Sequence, residues 1–424
     1  MILFYRIFSV ILYPFLYVSL LIRILKKKED PKRYREKIFI NSFNAKKLTN
    51  LKLLWFHAAS VGEFKSIIPI IENLNSRQKK YEFLITTNTL SSSKLAEIEI
   101  RKFNNVQHRF MPFDLNHLIE NFLNQWKPEK IFLVDSEIWP NLILKAKQKK
   151  IPIALINARL TRKSYGRWLV FYKTAKAIFG VFDLCLCSNK ETKYFLKKLN
   201  AKNIVYVGNI KLIDEIDSKK IIDKKTRVLS QLRFWVAAST HKEEDIFCLK
   251  THVELKKTYS DIKTFIAPRH LNRTSRIVKL SNSFNLRTQI LNSNDEIYPE
   301  NDVVIINSFG VLQKFFLYAK SVFIGKSIIK KLKNDSGQNP IEAAKLNCKI
   351  YHGPYVTNFK EIYEILKIES ISTEIENFKE LSKYLIEDLR NPQKEKLNGS
   401  NSIQNLGKKI LIETIDLIKK YLND

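Results

Sequence analysis

Several polar side chains in this sequence follow apolar runs typical of buried β-strands, and one of them is an acid placed for proton transfer. Glu63 follows Gly62 in the segment WFHAASVGEF, where a buried strand is predicted to end and a helix to begin. A carboxylate in such a turn can accept a proton from a substrate hydroxyl, as a general base does. An acid in the first turn of a helix also stabilises the helix dipole. On the residues alone both interpretations stay open.

The second half of the chain carries groups suited to binding a phosphate. Arg269 in the segment APRH can hold a phosphate through two parallel hydrogen bonds. Asn339 and Glu342 stand at the predicted start of the helix IEAAKL. There a glutamate can hold ribose hydroxyls while helix N–H groups face a phosphate; simple helix capping by Asn339 and Glu342 is the alternative. His57 and His241 are each either site residues or hydrogen-bonded residues at a strand end.

The strands and helices between these groups have to position them. Along the whole chain, the pattern of apolar residues predicts strands that alternate with helices. In the first half, strands are predicted in LKLLWFHAA, YEFLITTNT, EKIFLVDSE, PIALINAR, DLCLCSN and IVYVGNI. The pattern restarts with RFWVAAST, IKTFIAPRH, DVVIINSFG, SVFIGKS and CKIYHGP. Such βαβ alternation predicts parallel, doubly wound sheets covered by helices on both faces. The fold class is therefore α/β, with two Rossmann-like domains in tandem.

The boundaries follow from changes in composition. Residues 1–36 are an apolar and then basic segment, 37–215 and 216–400 are the two Rossmann-like domains, and 401–424 form a terminal amphipathic helix. The linker between the domains is predicted in KLIDEIDSKKIIDKK. Ligands of open parallel sheets bind beyond the carboxyl ends of the strands. Because the polar segments occupy that place in both halves, we expect an active site in a cleft that the two domains face.

The composition of the chain indicates which classes of partner are favoured, but it does not identify the function. The 424 residues carry 73 Lys and Arg against 42 Asp and Glu, a net charge of +31, so anionic partners such as nucleic acid or an acidic membrane are favoured. A Lys-rich compositional bias is the alternative explanation for the charge. The four cysteines form no disulfide framework, and no cluster has metal-ligand spacing. No P-loop or GxGxxG motif is present, which argues against simple ATPases and NAD-dependent dehydrogenases.

Residues 2–25 are almost wholly apolar, and about 20 such residues span a bilayer core as a helix. A basic cluster follows, which the positive-inside rule places on the cytoplasmic side; its members are Lys26, Lys27, Lys28, Lys32, Arg33, Arg35 and Lys37. We expect an N-terminal membrane anchor helped by an anionic membrane surface, with a buried core helix as the alternative.

Taken together, these segments resemble the Kdo transferase family, the glycosyltransferases of family 30. WFHAASVGEF, DSEIWPNLI, INARLTRKSYGRW, VGNIK, AASTHKEE, APRH and GQNPIEAA each match a block of that family, in the same order. The resemblance implies the two-domain GT-B fold and the inverting transfer of 3-deoxy-D-manno-octulosonic acid (Kdo) from CMP-Kdo to the lipid A precursor, lipid IVA. It also implies a place on the cytoplasmic face of the inner membrane of a Gram-negative bacterium. Because no cluster has metal-ligand spacing and a CMP leaving group carries one phosphate and not a diphosphate, we expect no metal and no other cofactor.

The resemblance also implies roles for individual residues. Glu63 matches the general base, and Glu137 and Lys211 match groups that stabilise the transition state. Positive charge such as that of Lys211 suits an anionic sugar and a departing phosphate. The residues that match the CMP-binding positions are Pro268, Arg269, Phe309, Gly310, Val311, Asn339, Pro340, Ile341 and Glu342. Two blocks depart from the family pattern: Gln338 replaces a histidine, and Val311 replaces an acid.

Two other functions are compatible with parts of the sequence. A basic nucleic-acid-binding protein would use the charge and the aromatic residues, which make up 12% of the chain. It would leave residues 2–25 unexplained, and the sequence contains no RNP, KH or zinc-finger pattern. A GT-B-like nucleotide-sugar epimerase would share the fold without needing an apolar N-terminal segment. We therefore expect CMP-Kdo and a lipid acceptor as partners, and no nucleic acid.

Overall fold

The computed structural model describes residues 2–44, 51–77, 80–213, 216, 221–222, 224–391 and 400–423. The chain divides into two compact units. The N-terminal unit contains Met1–Asp214 and Gly407–Asp424, and the C-terminal unit contains Glu215–Leu406. Much of the predicted linker, residues 211–225, lies outside the described residues.

The N-terminal unit is built on a seven-stranded sheet in which every described pair of neighbouring strands is parallel. The strand order is β3-β2-β1-β4-β5-β6-β7, so the chain reverses its winding direction between β1 and β4. The strands are β1 Lys52–His57, β2 Tyr81–Thr87, β3 Val106–Phe110, β4 Lys130–Val134, β5 Ile153–Ala158, β6 Leu184–Cys187 and β7 Ile204–Tyr206.

Helices connect the strands of this unit and cover its sheet. Their bounds are α1 Ile2–Leu25, α2 Val61–Arg77, α3 Leu90–Glu99, α4 Asn116–Trp126, α5 Pro140–Gln148, α6 Arg162–Val170, α7 Tyr172–Phe179 and α8 Lys190–Lys198. β1, β4, β5 and β6 are buried along almost their whole length because helices lie on both faces of the sheet. Cys185 and Cys187 are buried in β6, as the apolar run around them predicts.

The C-terminal unit repeats the architecture with a second seven-stranded parallel sheet, in the order β10-β11-β9-β8-β12-β13-β14. Its winding reverses between β8 and β12. The strands are β8 Phe234–Thr240, β9 Lys263–Pro268, β10 Thr288–Leu291, β11 Val303–Ile306, β12 Ser321–Ile324, β13 Lys349–His352 and β14 Ser372–Glu374.

The helices of the second half vary in length from 5 to 24 residues, and the last is the longest of them. They are α9 Glu244–Lys256, α10 Thr274–Ser283, α11 Leu312–Phe316, α12 Ile341–Lys345, α13 Lys360–Ile368, α14 Phe378–Asp388 and α15 Ser400–Asn423. The end of α15 packs in the N-terminal unit, where the ring of Tyr421 lies edge-on to that of Phe132 in β4. The two Rossmann-like sheets confirm the predicted GT-B fold class.

Helix α1 lies against the N-terminal unit along one of its faces. Tyr5 Oη donates to Asp114 Oδ2 at 2.9 Å, Tyr13 Oη donates to the carbonyl of Ile38 at 3.2 Å, and Leu20 is buried. The opposite face is exposed and apolar. It includes Leu3, Phe4, Ile7, Phe8, Val10, Ile11 and Phe15. By length and composition alone α1 could cross a membrane.

The structure corrects the predicted basic cluster that follows α1. Lys37 is buried, and its Nζ donates to Glu29 Oε1 at 2.8 Å and to the carbonyl of Asn88 at 3.0 Å. The Arg33 guanidinium pairs with Glu36 and Glu97. These two cations are engaged inside the fold because buried charges need partners. Five members of the cluster remain exposed: Lys26, Lys27, Lys28, Lys32 and Arg35.

Candidate active site

Glu63 lies in the first turn of α2, at the carboxyl end of the N-terminal sheet. Strand β1 ends at His57, so Gly62 is a helical residue and does not end the strand as the sequence analysis assumed. Ser60 Oγ donates to Glu63 Oε1 at 2.8 Å, and the Ala59 N–H donates to Oε2 at 2.7 Å. The Glu63 N–H also points to Ser60 Oγ, at 3.4 Å. Glu63 thus caps its own helix, and its carboxylate is held in one orientation.

The surroundings of Glu63 favour its protonated form. Burial raises the pKa of the Glu63 carboxyl, and the negative charges of Asp135 and Glu137 raise it further. The Ser60 hydroxyl and the positive charge of Lys211 act in the opposite direction but do not cancel the rise in pKa. A buried carboxyl with a raised pKa is the kind of group that can accept and release a proton near neutral pH.

Glu137 follows β4, the strand next to β1. Trp139 Nε1 donates to Glu137 Oε2 at 2.8 Å, and His57 Nε2 lies 3.3 Å from the same oxygen. One-fifth of the Glu137 side chain is exposed, whereas His57 is fully buried. Buried and partly buried side chains therefore orient the Glu137 carboxylate, and part of its side chain remains accessible to solvent.

Lys211 forms an ion pair with Asp135, a residue that sequence reasoning did not select as a site residue. Lys211 Nζ lies 2.6 Å from Asp135 Oδ2. Asp135 is buried, and its φ of 65° is in the left-handed region. Asn157, in β5, has a φ of 52°, and its Oδ1 accepts the Ile210 N–H at 3.0 Å. The signal for both residues was a polar side chain at the end of a buried apolar run.

Asp135, Glu137 and Lys211 lie close enough to Glu63 for their charges to change its pKa, so the four groups form one cluster. They follow strands β1, β4 and β7, and β1 and β4 flank the point at which the winding of the sheet reverses. Ligands of doubly wound sheets bind at this point, where helices on opposite faces leave a crevice. The structure thus brings together the three predicted catalytic residues and adds Asp135 to them.

In the C-terminal unit, Pro268 is the last residue of β9 and Arg269 follows it. Pro268 is buried, while the Arg269 side chain is exposed. The backbone N–H of Arg269 donates to the carbonyl of Thr240 at 3.0 Å, which ties the end of β9 to the end of β8. The backbone of Arg269 is therefore held at the carboxyl edge of the sheet, and its exposed side chain extends from that edge.

Phe309, Gly310 and Val311 form the turn between β11 and α11. Gly310 has a φ of 77°, in the left-handed region that favours glycine, and open space surrounds the position of a Cβ there. Phe309 is 68% exposed. Asn307 precedes the turn, and its Nδ2 donates to Asn292 Oδ1 at 2.8 Å. The turn leaves an aromatic side chain and backbone groups uncovered beyond the strand.

The segment 336–342 lies beyond β12 on the same edge of the sheet. The N–H of Gly337 donates to the carbonyl of Lys326 at 2.7 Å, and a Cβ on Gly337 would lie 2.9 Å from the backbone of Val356. Asn339 is exposed, and its Oδ1 accepts the Ile341 N–H at 3.1 Å. Pro340 and Ile341 are buried, so they hold the segment in place; Glu342 is partly exposed. The helix α12 that starts here, Ile341–Lys345, agrees with the predicted helix IEAAKL to within one residue.

Glu244 is a further residue that sequence reasoning missed. It is fully buried, and its carboxylate accepts the N–H groups of His241, Lys326, Ser327 and Ile328 at 2.7–3.3 Å. It therefore ties the end of β8 to the loop after β12. The only sequence signal was an acid at the start of a helix, which is common.

His241 is neutral at physiological pH. Burial lowers its pKa to about 4, helped by the positive charges of Lys326, His270, Arg273 and Arg269. Gln338 Nε2 lies 3.3 Å from His241 Nε2, and a neutral ring nitrogen can accept from that amide. Gln338 thus has a hydrogen-bond partner at the position where the family pattern has a histidine.

Among the residues that the structure describes, no group of three or more His, Cys, Asp or Glu side chains is arranged to hold a metal ion. The cluster around Glu63 contains a lysine and acids that hydrogen-bond to the protein itself. The absence of a metal from the reaction stays a prediction.

The chain is similar in sequence to known 3-deoxy-D-manno-octulosonic acid transferases. Residues 32–213 match the family model described as 3-deoxy-D-manno-octulosonic-acid transferase (kdotransferase). The 3-deoxy-D-manno-octulosonic acid transferase of Rickettsia bellii is 29% identical over 430 residues, covering 98% of this chain and 99% of that protein. The Haemophilus influenzae protein of the same name is 27% identical, covering 87% of each chain.

Solved structures with a similar fold include the following two. The S. aureus MnaA–UDP complex has a TM-score of 0.56 at 15% identity, over 88% of this chain and 97% of that one. UDP-GlcNAc 2-epimerase from Neisseria meningitidis, bound to UDP-GlcNAc, has a TM-score of 0.55 at 15% identity, over 87% of this chain and all of that one. At these identities the likeness shows the fold and does not favour an epimerase over a transferase.

Proposed function

Because the chain belongs to the 3-deoxy-D-manno-octulosonic acid (Kdo) transferase family, we propose that it transfers Kdo from CMP-Kdo to the lipid A precursor, with inversion and without a metal. The observation that carries this proposal is the buried Glu63 carboxyl, with its raised pKa, clustered with Glu137 and Lys211. An acid in this setting suits a reaction in which a hydroxyl must lose its proton as it attacks.

The proposed reaction forms one bond and breaks one. The acceptor hydroxyl oxygen bonds to the anomeric carbon of Kdo while the bond from that carbon to the phosphate oxygen breaks, and CMP leaves with the bonding electrons. The hydroxyl proton passes to the Glu63 carboxylate. Each oxygen of Glu63 accepts one hydrogen bond from the protein and has a second lone pair for this proton. Attack on the face opposite CMP inverts the anomeric configuration.

We assign to Lys211 and Glu137 the role of stabilising the transition state. Lys211 is held by Asp135, so its charge has a fixed location, and a fixed charge costs no reorganisation when negative charge develops nearby. Glu137 is held by Trp139 and His57, and its negative charge can stabilise the positive charge that develops at the anomeric carbon.

We assign the donor nucleotide to the C-terminal unit. The groups proposed for this role are the Arg269 guanidinium, the 309–311 turn and residues 339–342, all beyond the carboxyl ends of their strands. Arg269 suits the single phosphate of CMP, since a guanidinium can donate two parallel hydrogen bonds to it. Glu342 suits the ribose hydroxyls because a carboxylate accepts the hydrogen bonds that they donate.

We also propose that α1 attaches the protein to the cytoplasmic face of an anionic membrane by lying along its surface. Contacts from Tyr5 to Leu20 hold one face of α1 on the N-terminal unit, so the exposed apolar face points away from that unit over most of the helix. Five exposed cations follow within residues 26–35, and each contributes about 1 kcal/mol near an anionic surface.

The membrane proposal is tested by flotation with vesicles that contain anionic lipid. The double variant Phe4→Asp/Phe8→Asp places charges on the exposed face of α1 and should leave most of the protein unbound. Ile368→Asp, at an apolar residue that is 80% exposed in the other unit, is the matched control and should bind as the original chain does. Flotation of the double variant at the original level would overturn the assignment.

The transfer itself is tested by incubating the purified protein with CMP-Kdo and lipid IVA in a buffer containing EDTA. Release of CMP that depends on lipid IVA, together with a glycolipid heavier by Kdo, would support the proposal. An epimerase would convert a nucleotide sugar without any acceptor, and a nucleic-acid-binding protein would release no CMP. Either result would reject the transferase assignment.

A further inference from the structure

His57 links the buried interior of the N-terminal sheet to a proposed catalytic carboxylate. It is the last residue of β1 and is fully buried. Its Nδ1 lies 2.9 Å from Thr86 Oγ1, on the neighbouring strand β2, and its Nε2 lies 3.3 Å from Glu137 Oε2. One side chain thus joins the interior to the Glu63 cluster.

The partners of Thr86 determine which ring nitrogen of His57 carries the proton. Trp55 Nε1, which can only donate, lies 2.9 Å from Thr86 Oγ1, so this oxygen accepts from the indole. The Thr86 hydroxyl hydrogen is then available to His57 Nδ1, at a much shorter distance than the 4.0 Å to Met111 Sδ. With Nδ1 accepting, the neutral ring carries its hydrogen on Nε2 and donates it to Glu137.

Glu137 Oε2 therefore receives two N–H donors, from Trp139 and from His57. Two donors on one oxygen fix the plane of the carboxylate and leave Oε1 for a substrate. Trp139 is a near neighbour of Glu137 in the sequence, whereas His57 lies on strand β1, a distant segment of the chain. Of the two donors, His57 is the one that ties the carboxylate to a strand of the sheet.

We propose that His57 is a positioning residue of the transfer reaction, held by Thr86 in the tautomer that donates to Glu137, so that its loss slows turnover without weakening substrate binding. This inference rests on the proposed function. In this role His57 acts only through Glu137 and does not contact the substrate.

The test compares His57→Leu with His57→Gln in steady-state transfer of Kdo. Leucine removes the donor, and a loosened carboxylate should lower kcat about 10-fold to 100-fold, since small displacements of a reacting group have effects of that order. Glutamine offers an amide N–H near the position of Nε2 and should keep kcat within several-fold of the original. KM for CMP-Kdo should be unchanged in both variants.

The chain provides a matched control at His252. That histidine, on helix α9, is also fully buried, and its Nδ1 lies 2.8 Å from Thr264 Oγ1 on strand β9. In the described part of the chain its Nε2 has no hydrogen-bond partner. His252→Leu should therefore lower the thermal unfolding midpoint about as much as His57→Leu does and leave kcat unchanged.

A second pair of variants covers the case in which His57→Leu does not fold. Thr86→Val removes the hydroxyl that fixes the tautomer, and Thr86→Ser retains it, so kcat should fall only in the valine variant. Equal kcat in Thr86→Val and Thr86→Ser, or a kcat in His57→Leu equal to that in His252→Leu, would overturn the inference. If the unmodified protein transfers no Kdo, the proposed function has failed, and that outcome is distinct from failure of the positioning role.

Discussion

Lys211 Nζ lies 2.6 Å from Asp135 Oδ2, and this pair joins a turn after β7 to the residue that follows β4. The two residues are 76 positions apart, and only folding of the sheet brings them together. Asp135 also influences Glu63 electrostatically. Asp135 therefore acts on two proposed catalytic groups at once, because it fixes the ammonium group of Lys211 and its negative charge raises the pKa of Glu63.

Replacing Asp135 with asparagine should lower kcat for transfer about 10-fold to 100-fold, because a lysine that loses its anchor is displaced from the transition state. The matched control is Asp302→Asn, which breaks the Lys256–Asp302 pair at 2.7 Å. Asp302 is equally buried, but it precedes β11 at the amino end of the strand. Steady-state assays should show the loss only in the first variant; an equal effect in both would count against a role for the Lys211 pair.

Glu63→Gln should lower turnover about 10²-fold to 10⁴-fold, the range typical of a well-placed general base. The amide oxygen can still accept the Ala59 N–H, so helix α2 keeps its cap and the loss is chemical. CMP binding, measured by calorimetry, should not change.

A comparison isolates the capping role of Glu63. Glu380 Oε2 accepts the Glu376 N–H at 2.8 Å at the start of α14, outside the candidate sites. Glu380→Ala should lower the free energy of unfolding by about 1 kcal/mol, as is typical of a lost cap, and leave turnover unchanged. Near-original turnover in Glu63→Gln would eliminate Glu63 as the base.

The pH dependence of transfer should report the environment of Glu63. Activity requires the ionised carboxylate, so the rate should fall as the pH drops through the pKa of Glu63, which burial raises from its ordinary value. Ser60→Ala removes a hydrogen bond that lowers this pKa, so it should move the acidic limb of the kcat/KM profile to higher pH. Asp135→Asn removes a negative charge that raises it and should move the limb to lower pH. Shifts in the same direction would contradict this electrostatic account.

Arg269→Ala should weaken CMP binding about 10-fold to 100-fold, the range for losing a hydrogen bond to a charged group. Arg276 is also exposed and lies in the same unit, on α10. Arg276→Ala removes the same charge away from the proposed phosphate and should change the dissociation constant little. Titration calorimetry at one fixed salt concentration measures both, and equal effects would indicate general charge attraction.

Most of the fold is predictable from the sequence because central parallel strands are buried on both faces. Runs such as KIFLV and IALINA have no polar face to obscure them. The three strands missed by the sequence analysis, β3, β10 and β14, are all at the edges of their sheets. Edge strands are shorter or partly exposed, so VQHRF, TQIL and STE carry a weaker apolar signal.

The sequence by itself also determined which residues were candidates for chemistry, because polar groups directly after buried strands must gather at one edge of a parallel sheet. Only the tertiary structure decided their partners. It paired Lys211 with Asp135, set His57 against Glu137, and buried Lys37 on Glu29. The amino-acid sequence specifies the charge of each residue and the periodicity of the apolar residues. Which residues pair across distant segments depends on the order of the strands and on the cost of burying an unpaired charge, and both are properties of the folded chain.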